Sequence, residues 1–396
     1  MTNAPIKHRM TRRLTGWDYC QRAIYMITVT LEDRSREWLG SLVYLAENGE
    51  ALNCGTVPPH CGTVPPHSCG GNCGFWSIVP TPYGQAVLEA LEAMPQLYPQ
   101  VRILAHQLMP EHFHFIVFVE SPLPKPLGAL VRGFKAGAAK RWKALSPSGN
   151  ALPRWADGFQ DTILFRQGQL QTMIEYLRAN PERLAEKRAN PDLFRRVASL
   201  SLPLDGGRFT GHFEALGNRH LLSRPMHQVQ CSRQFFAYQR VPKAGGGLKI
   251  ARTSDDEPVV ARTSPEYEMR LADALDASAH GAVVLSPCIS DGERQIAREA
   301  LVRERPLIAF RNMGFSKLEK PVGRLFKACA EGRILLLAPA AWPYSTQEKP
   351  MTRFDATVLN RLCQWLAGED AVDINYHGMT PANIDQLALN AVLASK

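Results

Sequence analysis

Short apolar runs alternate with longer amphipathic stretches along the first half of the chain. The runs AIYMITVT, WLGSLVYL, WSIVP, VRILAHQLM and FQDTILF are rich in β-branched and aromatic residues, which predicts strands. Helical spacing of apolar residues is found in TPYGQAVLEALEAMPQLY, KPLGALVRGFKAGAAKRWKAL and GQLQTMIEYLRANPERLAEKR, the first beginning near Thr81-Pro82. Strands covered by helices on one face predict an α+β sandwich.

One strand carries two histidines. Residues 109–120 read MPEHFHFIVFVE, with His112 and His114 on either side of a phenylalanine, and MPEH forms the predicted turn of a hairpin. Successive side chains of a strand point to opposite faces, so both imidazoles lie on the same face. Two interpretations stay open: each ring hydrogen-bonds its neighbours in a half-buried strand, or the pair binds a metal.

The predicted helix over residues 167–188 contributes a second pair of polar residues. Tyr176 and Asn180 are four positions apart and therefore lie one turn from each other on one helical face. The asparagine offers a carbonyl oxygen as a metal ligand, and the tyrosine offers a phenol that could attack phosphorus. A core role for the tyrosine and a helix-ending role for an asparagine before proline are the structural alternatives.

Composition narrows the class of partner. The 396 residues suggest two or three domains, and a formal charge of +9 favours an anionic partner such as nucleic acid. The start, MTNAPIKHRMTRRL, leads into WDYCQR rather than an apolar run, so the sequence predicts neither a secretory signal nor a membrane span. Nine cysteines in a chain of this size are expected to be reduced thiols, which suits a cytoplasmic location.

A basic segment favours DNA as that partner. Residues 121–150 contain no acidic residue, and Phe134 and Trp142 lie between the charges, where they could stack on bases while cations meet phosphates. The basic N-terminus could act as an arm, and a solvated helix face is the structural alternative. The predicted DNA-binding residues are Arg12, Arg13, Lys125, Arg132, Lys135, Lys140, Arg141 and Lys143.

An insert at about residues 47–74 is rich in Cys, Pro and Gly. It repeats CGTVPPH at 54–60 and 61–67, and zinc could bind Cys54, His60, Cys61, His67, Cys69 and Cys73. The spacing matches no standard zinc finger, and a perfect duplication is typical of a recent repeat of coding DNA. A protruding disordered loop is the prediction.

The C-terminal half has a different pattern. The sequence predicts a connector and linker over residues 201–265. Residues 266–396 alternate helices with the apolar strands GAVVLSPC, PLIAFRNMGF and RILLLAP. This alternation predicts a Rossmann-like α/β domain of unknown ligand. A capping box begins at Ser290, whose helix N-terminus could hold a phosphate. Ser286, Ser290 and Gly314 are the candidate ligand-site residues, since ligands bind beyond the carboxyl ends of such strands. A degenerate domain used only for packing is the alternative.

Taken together, HFH after MPEH and the downstream YLRANP resemble the HUH single-tyrosine transposases, in the branch associated with repetitive extragenic palindromes. The resemblance covers about residues 15–200, including WDYCQRAIYMITVT and FQDTILF. It implies a ferredoxin-like α+β HUH nuclease domain in residues 1–200, followed by the α/β domain, which looks like DprA-type or lysine-decarboxylase-like Rossmann domains. Glu111 departs from the family pattern, in which asparagine is more usual.

The resemblance also implies a function. His112, His114 and Asn180 match the ligands of Mg²⁺ or Mn²⁺, and Tyr176 matches the nucleophile that forms a 5'-phosphotyrosine with single-stranded or hairpin DNA. Strands would be cut and rejoined without ATP, by a monomer or a homodimer. Two other functions stay open: a catalytically silent DNA-binding regulator with a nucleotide-sensing C-terminal domain, and a zinc-bound interaction protein organised by the cysteine insert.

Overall fold

The computed structural model describes residues 14, 16–46, 74–146, 151–239, 260–317, 319–347, 349–368 and 378–393. Arg12, Arg13 and residues 47–73 of the insert, with all six of its candidate zinc ligands, lie outside the described residues. The chain divides into two compact units, Met1–Arg188 and Ala189–Lys396. No helix in the described ranges combines the length and apolarity that crossing a bilayer requires.

The first unit contains six strands and five helices within its described residues. They are β1 (Ala23–Thr30), β2 (Gly40–Ala46), β3 (Gly74–Pro80), α1 (Pro82–Glu92), α2 (Met94–Leu97), β4 (Val101–Leu108), β5 (His112–Val119), α3 (Leu127–Leu145), β6 (Gln160–Ile163), α4 (Gln169–Arg178) and α5 (Asn180–Ala189). The predicted strands and the first two predicted helical regions are confirmed.

Four of these strands form an antiparallel sheet in the order β4-β5-β1-β6. Along the chain the sheet and its helices follow one another as β1-α1-β4-β5-α3-β6, an order that is compatible with the predicted ferredoxin-like arrangement. Among the described residues, the strands β2 and β3 pair only with each other, and the insert lies between them in the sequence. The first unit is thus α+β with antiparallel sheets.

The two faces of the four-stranded sheet are covered by different helices. Phe113 and Phe115 of β5 pack with α1 and α3 in the larger core. Met26 and Ile116 point to the other face, where α4 covers them with Leu177 and its neighbours. The expectation of helices on one face is therefore wrong: α4 lies on the face that carries the histidines.

The helix that carries Tyr176 is interrupted. The single predicted helix over residues 167–188 is two helices, α4 and α5, which meet at Ala179. Pro181 explains the interruption, because it has no N–H to donate to the carbonyl four residues earlier, and its ring crowds that carbonyl. Tyr176 and Asn180 consequently belong to consecutive helices rather than to one continuous face.

Two aromatic residues of α3 are core residues. Phe134 and Trp142 are only 3% and 1% exposed, and the indole Nε1 of Trp142 donates a hydrogen bond of 2.9 Å to the carbonyl oxygen of Tyr83. Their spacing of eight residues puts them on the apolar face of α3 with Leu130 and Val131. The predicted stacking of bases on these two rings is therefore wrong.

The second unit is built around another sheet. Its elements are β7 (Val197–Leu204), β8 (Phe209–Gly217), β9 (Met226–Gln228), β10 (Phe236–Gln239), β11 (Val260–Thr263), α6 (Pro265–Ala279), β12 (Val283–Ser286), α7 (Asp291–Val302), β13 (Leu307–Phe310), α8 (Arg324–Ala330), β14 (Ile334–Pro339), α9 (Arg353–Ala367) and α10 (Pro381–Val392).

The six-stranded sheet has the order β7-β8-β14-β13-β12-β9. Strands β9, β12, β13 and β14 are parallel, which is compatible with a Rossmann-like arrangement, whereas β8 is antiparallel to β14 and β7 to β8. Two predictions are corrected here. The sheet is mixed rather than parallel, and residues 201–228 supply strands to it instead of forming a connector.

Helices cover both faces of this sheet. The helices α6, α7 and α8 pack on one side with Val284 and Leu307, and α9 and α10 pack on the other with Leu285 and Leu337. The four parallel strands follow one another across the sheet in chain order. The crevice at which doubly wound sheets bind ligands forms where that order reverses, and it does not reverse among the parallel strands of the described sheet.

Candidate active site on the first sheet

The two histidines of β5 converge at one end of the strand. His112 and His114 are in contact, with Nε2 atoms 3.0 Å apart and ring centres 4.7 Å apart. His114 is 6% exposed, and His112 is half-buried. Their shared face follows from the strand geometry that the sequence predicts.

The other ring nitrogen of His112 is bound by Glu111. The carboxylate of Glu111 accepts a hydrogen bond of 3.1 Å from Nδ1 of His112. Burial raises the pKa of Glu111, but the hydrogen bond and the charge of His112 outweigh it, and the net shift is downward. Because an ionised carboxylate only accepts, Nδ1 of His112 is the donor, and Nε2 is left as the ring nitrogen that faces His114.

His114 has an equivalent partner on the neighbouring strand. Thr28 of β1 lies opposite His114 in the sheet register, and its Oγ1 is 2.7 Å from Nδ1. A hydroxyl can donate to this nitrogen or accept from it. Thr28 therefore suits either tautomer of His114, including the one in which Nε2 offers a lone pair to a ligand.

Tyr176 lies beside the histidine pair. Its ring packs in the small apolar cluster with Met26 and Ile116, and the ring centres of Tyr176 and His114 are 6.4 Å apart in an edge-on arrangement. The guanidinium carbon of Arg183 lies 5.4 Å from the centre of the same ring. The structure thus brings a tyrosine, two imidazoles and a cation together.

Asn180 begins α5 and is 8% exposed, and its Nδ2 has no hydrogen-bond partner among the described residues. The oxygen and nitrogen of an amide can be exchanged by rotation, so this buried end could equally present a carbonyl oxygen. A buried polar group without a partner is unusual and is what an added ligand would relieve.

The 3.0 Å separation of the two Nε2 atoms is that of a hydrogen bond between the rings, and it also suits two ligands of one divalent cation. Two ligands at about 2.1 Å from one metal and at right angles to each other are separated by about 3.0 Å, and the two Nε2 atoms are 3.0 Å apart. Within the described residues no group of three or more His, Cys, Asp or Glu side chains is placed to hold a metal. A metal here would therefore have the two imidazoles as ligands, with the amide of Asn180 as the predicted third.

The predicted DNA-binding cations have unequal surroundings. Lys135 donates to the carbonyl oxygens of Ala156, at 2.8 Å, and Gly158, and Arg141 pairs with Glu89 at 3.6 Å. These two side chains stabilise the fold locally. The exposed cations are Lys125, Arg132, Lys140 and Lys143. Because α3 packs on the face opposite to α4, the exposed cations of α3 lie across the sheet from Tyr176.

The candidate residues of the second unit are engaged in turns. Ser286 is fully buried and accepts a hydrogen bond of 3.2 Å from the N–H of Cys288. Gly314 donates its N–H to the carbonyl of Trp342 at 2.8 Å, and a Cβ there would clash with that oxygen.

At Ser290 the predicted capping box of α7 is confirmed. The Glu293 carboxylate accepts from the N–H groups of Ile289 and Ser290 at 2.7 and 3.1 Å. These two N–H groups are therefore already bonded within the protein, and the ligand site at Ser290 stays a prediction.

Three residues around the histidines were not singled out by sequence pattern: Thr28, Arg183 and, as a hydrogen-bond partner, Glu111. Thr28 is one of several threonines in a β-rich run, and its role depends on β1 pairing with β5, more than 80 positions away. Glu111 had a local signal, since it directly precedes the first histidine. Arg183 lies in a run of charges in which nothing distinguishes it.

The chain was compared with protein-family models, curated proteins and solved structures. No protein-family model matches the chain, and no curated protein matches it. Among solved structures it is similar to one described as a REP-associated tyrosine transposase bound to a REP hairpin, with a TM-score of 0.28 and 14% identity, covering 43% of this chain and 74% of that one. A TM-score of this size does not establish a common fold.

Proposed function

We propose that the first unit is a metal-dependent DNA endonuclease and strand transferase of the transposase type, with Tyr176 as its nucleophile and single-stranded or hairpin DNA as its substrate. The observation that carries the proposal is the convergence of two Nε2 atoms 3.0 Å apart, each imidazole bonded at Nδ1, beside the ring of a tyrosine. The sequence resemblance to HUH transposases supplies the reaction class.

His112, His114 and Asn180 would hold Mg²⁺ or Mn²⁺. When bound, the cation polarises the scissile phosphate and offsets the negative charge that grows on its oxygens during displacement. The chain's own contribution is to fix the ligands before the metal arrives. Glu111 and Thr28 restrain the two rings, and β5 holds both on one rigid strand.

Tyr176 performs the covalent step. Its Oη attacks phosphorus and gives up the phenolic proton to solvent, a new P–O bond forms, and the P–O3' bond breaks as the departing 3'-oxygen takes up a proton. The DNA stays attached as a 5'-phosphotyrosine. A second 3'-hydroxyl reverses the step and restores a phosphodiester, so the bond count is conserved and no ATP is consumed.

A covalent-trapping assay tests this proposal. The protein is incubated with labelled single-stranded hairpin DNA from around its own gene and Mn²⁺ or Mg²⁺, then run on a denaturing gel. We expect a slow-migrating adduct that is lost with EDTA and in Tyr176→Phe. Tyr83→Phe is the matched control, because Tyr83 belongs to α1 on the opposite face of the sheet.

Two results would count against the proposal. An adduct that persists in Tyr176→Phe would assign the nucleophile elsewhere. Tight, salt-sensitive binding of every hairpin tested, without an adduct, would favour the catalytically silent regulator.

A further inference from the structure

Arg183 contacts the proposed nucleophile from the helix that follows it. Arg183 lies seven positions after Tyr176, which would be about two turns or about 10.5 Å of rise along a continuous helix. Its guanidinium carbon nevertheless lies 5.4 Å from the centre of the tyrosine ring. The reach is explained by the direction of helical side chains, which lean toward the helix N-terminus, so that a long side chain on α5 extends back across Ala179 to α4.

The tyrosine ring is thereby held by two different groups. His114 approaches from β5, with ring centres 6.4 Å apart, and Arg183 approaches from α5. Both contacts involve the aromatic ring itself, and they restrict its rotation. A nucleophile held in one orientation loses less freedom on the way to attack.

The charge of Arg183 is partly removed from water. Burial lowers the pKa of its guanidinium, while the charges of Tyr176 and Glu186 act in the opposite direction. The guanidinium of arginine is so basic that it remains a cation at neutral pH despite such a shift. A half-buried cation interacts with a new negative charge more strongly than a solvated one does.

The proposed reaction places a negative charge beside this cation. Before attack the phosphodiester carries one negative charge, and after attack the same charge resides on a diester attached to Tyr176. A planar guanidinium can donate two parallel hydrogen bonds to phosphate oxygens, which an ammonium cannot do. Arg183 therefore has the charge, the shape and the neighbour that a phosphotyrosyl diester requires.

We propose that Arg183 is a positioning residue that orients the ring of Tyr176 for attack and then binds the phosphotyrosyl diester. This inference rests on the proposed function of Tyr176. Helix α5 would then contribute Arg183 as well as Asn180. Arg183 contacts the ring of the nucleophile and is not one of the proposed metal ligands.

The test compares two arginines that flank Tyr176. Arg183→Gln removes the ring contact, and Arg178→Gln removes an equal charge from an exposed position two residues from the tyrosine. Single-turnover rates of adduct formation are measured at saturating labelled hairpin DNA with Mn²⁺, and DNA affinity is measured separately by fluorescence anisotropy. We expect Arg183→Gln to slow adduct formation by about 100-fold, as loss of one charge-stabilising donor does, without a matching loss of affinity. Arg178→Gln should react at the wild-type rate.

A conservative variant separates positioning from folding. Arg183→Lys keeps the charge and much of the length, and we expect a rate about 10-fold below wild type because the planar fork is lost. Thermal melting of each variant shows whether the fold survives. If Arg183→Gln does not fold, the rate of adduct formation by Arg183→Lys tests the inference instead. A wild-type rate in Arg183→Lys overturns it.

The remaining outcomes are distinguishable from failure of the proposed function. Equal rates for Arg183→Gln and Arg178→Gln, with a wild-type adduct present, overturn only the role of Arg183. A loss confined to DNA affinity also overturns it, since a positioning residue acts on the bound complex. Absence of any wild-type adduct removes the proposed function and this inference with it.

Discussion

Thr28→Val tests whether the histidine pair is prepared for a metal. Thr28 Oγ1 lies 2.7 Å from Nδ1 of His114, a residue that is 6% exposed. Valine has nearly the same shape but neither donates nor accepts, so the substitution leaves a buried ring nitrogen without its partner. Thr30→Val is the matched control, because Thr30 lies on the same face of β1 opposite His112 and its hydroxyl makes no hydrogen bond within the described part of the chain.

The magnitude follows from the hydrogen bond that is lost. Leaving a buried polar group unsatisfied costs about 1–3 kcal/mol, so the free energy of unfolding should fall by about that amount. Loss of the partner that orients a metal-binding histidine typically weakens metal affinity by about 10- to 100-fold, or about 1.4–2.8 kcal/mol of binding free energy. Thr30→Val should show neither effect at this size.

Two measurements check the prediction without relying on catalysis. Isothermal titration with Mn²⁺ gives metal affinity, and urea unfolding without metal gives stability. In a His114→Ala background the effect of Thr28→Val should largely disappear, because the two residues act through one contact. If Thr28→Val matches Thr30→Val in both measurements, the hydrogen bond does not prepare the site, and the reasoning from Nδ1 contacts to a metal site fails.

Three further changes probe other parts of the molecule. Trp142→Ala should lower the free energy of unfolding by about 3–5 kcal/mol, measured in urea, and leave the salt dependence of DNA binding unchanged, since Trp142 is a core residue. Arg132→Gln and Lys140→Gln should each reduce the slope of log affinity against log salt for single-stranded DNA by about 0.7, whereas Lys135→Gln should mainly destabilise the fold because it bonds carbonyl oxygens; equal slopes would contradict a DNA contact. Burial raises the pKa of Glu293 above its ordinary value of 4.5, so its contribution to stability is present below pH 4.5 and is lost as pH rises through the raised pKa. The stability of the wild type relative to Glu293→Gln should therefore decline as pH rises, and a constant difference in urea unfolding would exclude this.

The sequence pattern predicted correctly those features that depend on residues close together in the chain. The strand with His112 and His114 and the capping box at Ser290 each depend on a few adjacent residues, and the structure contains both. Tyr176 and Asn180 were proposed from their spacing and from the resemblance of YLRANP to HUH transposases, and the break at Ala179 shows that they do not share one continuous helix. The effect of Pro181 on its neighbours was the signal for that break.

Contacts between residues that are far apart in the sequence could not be predicted from local sequence patterns. The partner of His114, Thr28, depends on the pairing of β1 with β5. The strand Phe209–Gly217 contains a histidine and a glutamate and lies in the expected connector, yet it pairs with β14 in the second unit. From the sequence, the rings of Phe134 and Trp142 could either stack on DNA bases or pack in the protein core. In the structure both are buried in the core cluster that contains Phe113 and Phe115 of β5.

The pairing of β8 with β14 also determines when the second unit can fold during synthesis. Gly217 and its register partner Leu335 are 118 positions apart in the sequence. At a translation rate of about 5–20 residues per second, β8 would wait about 6–24 s for its neighbour to be made. During that time the hairpin of β7 and β8 has an unpaired edge, the kind of surface on which chains aggregate. A ribosome that stops before residue 334 would release a chain with every sheet strand of its first unit and with this edge of β8 uncovered, so we expect such truncated products to self-associate.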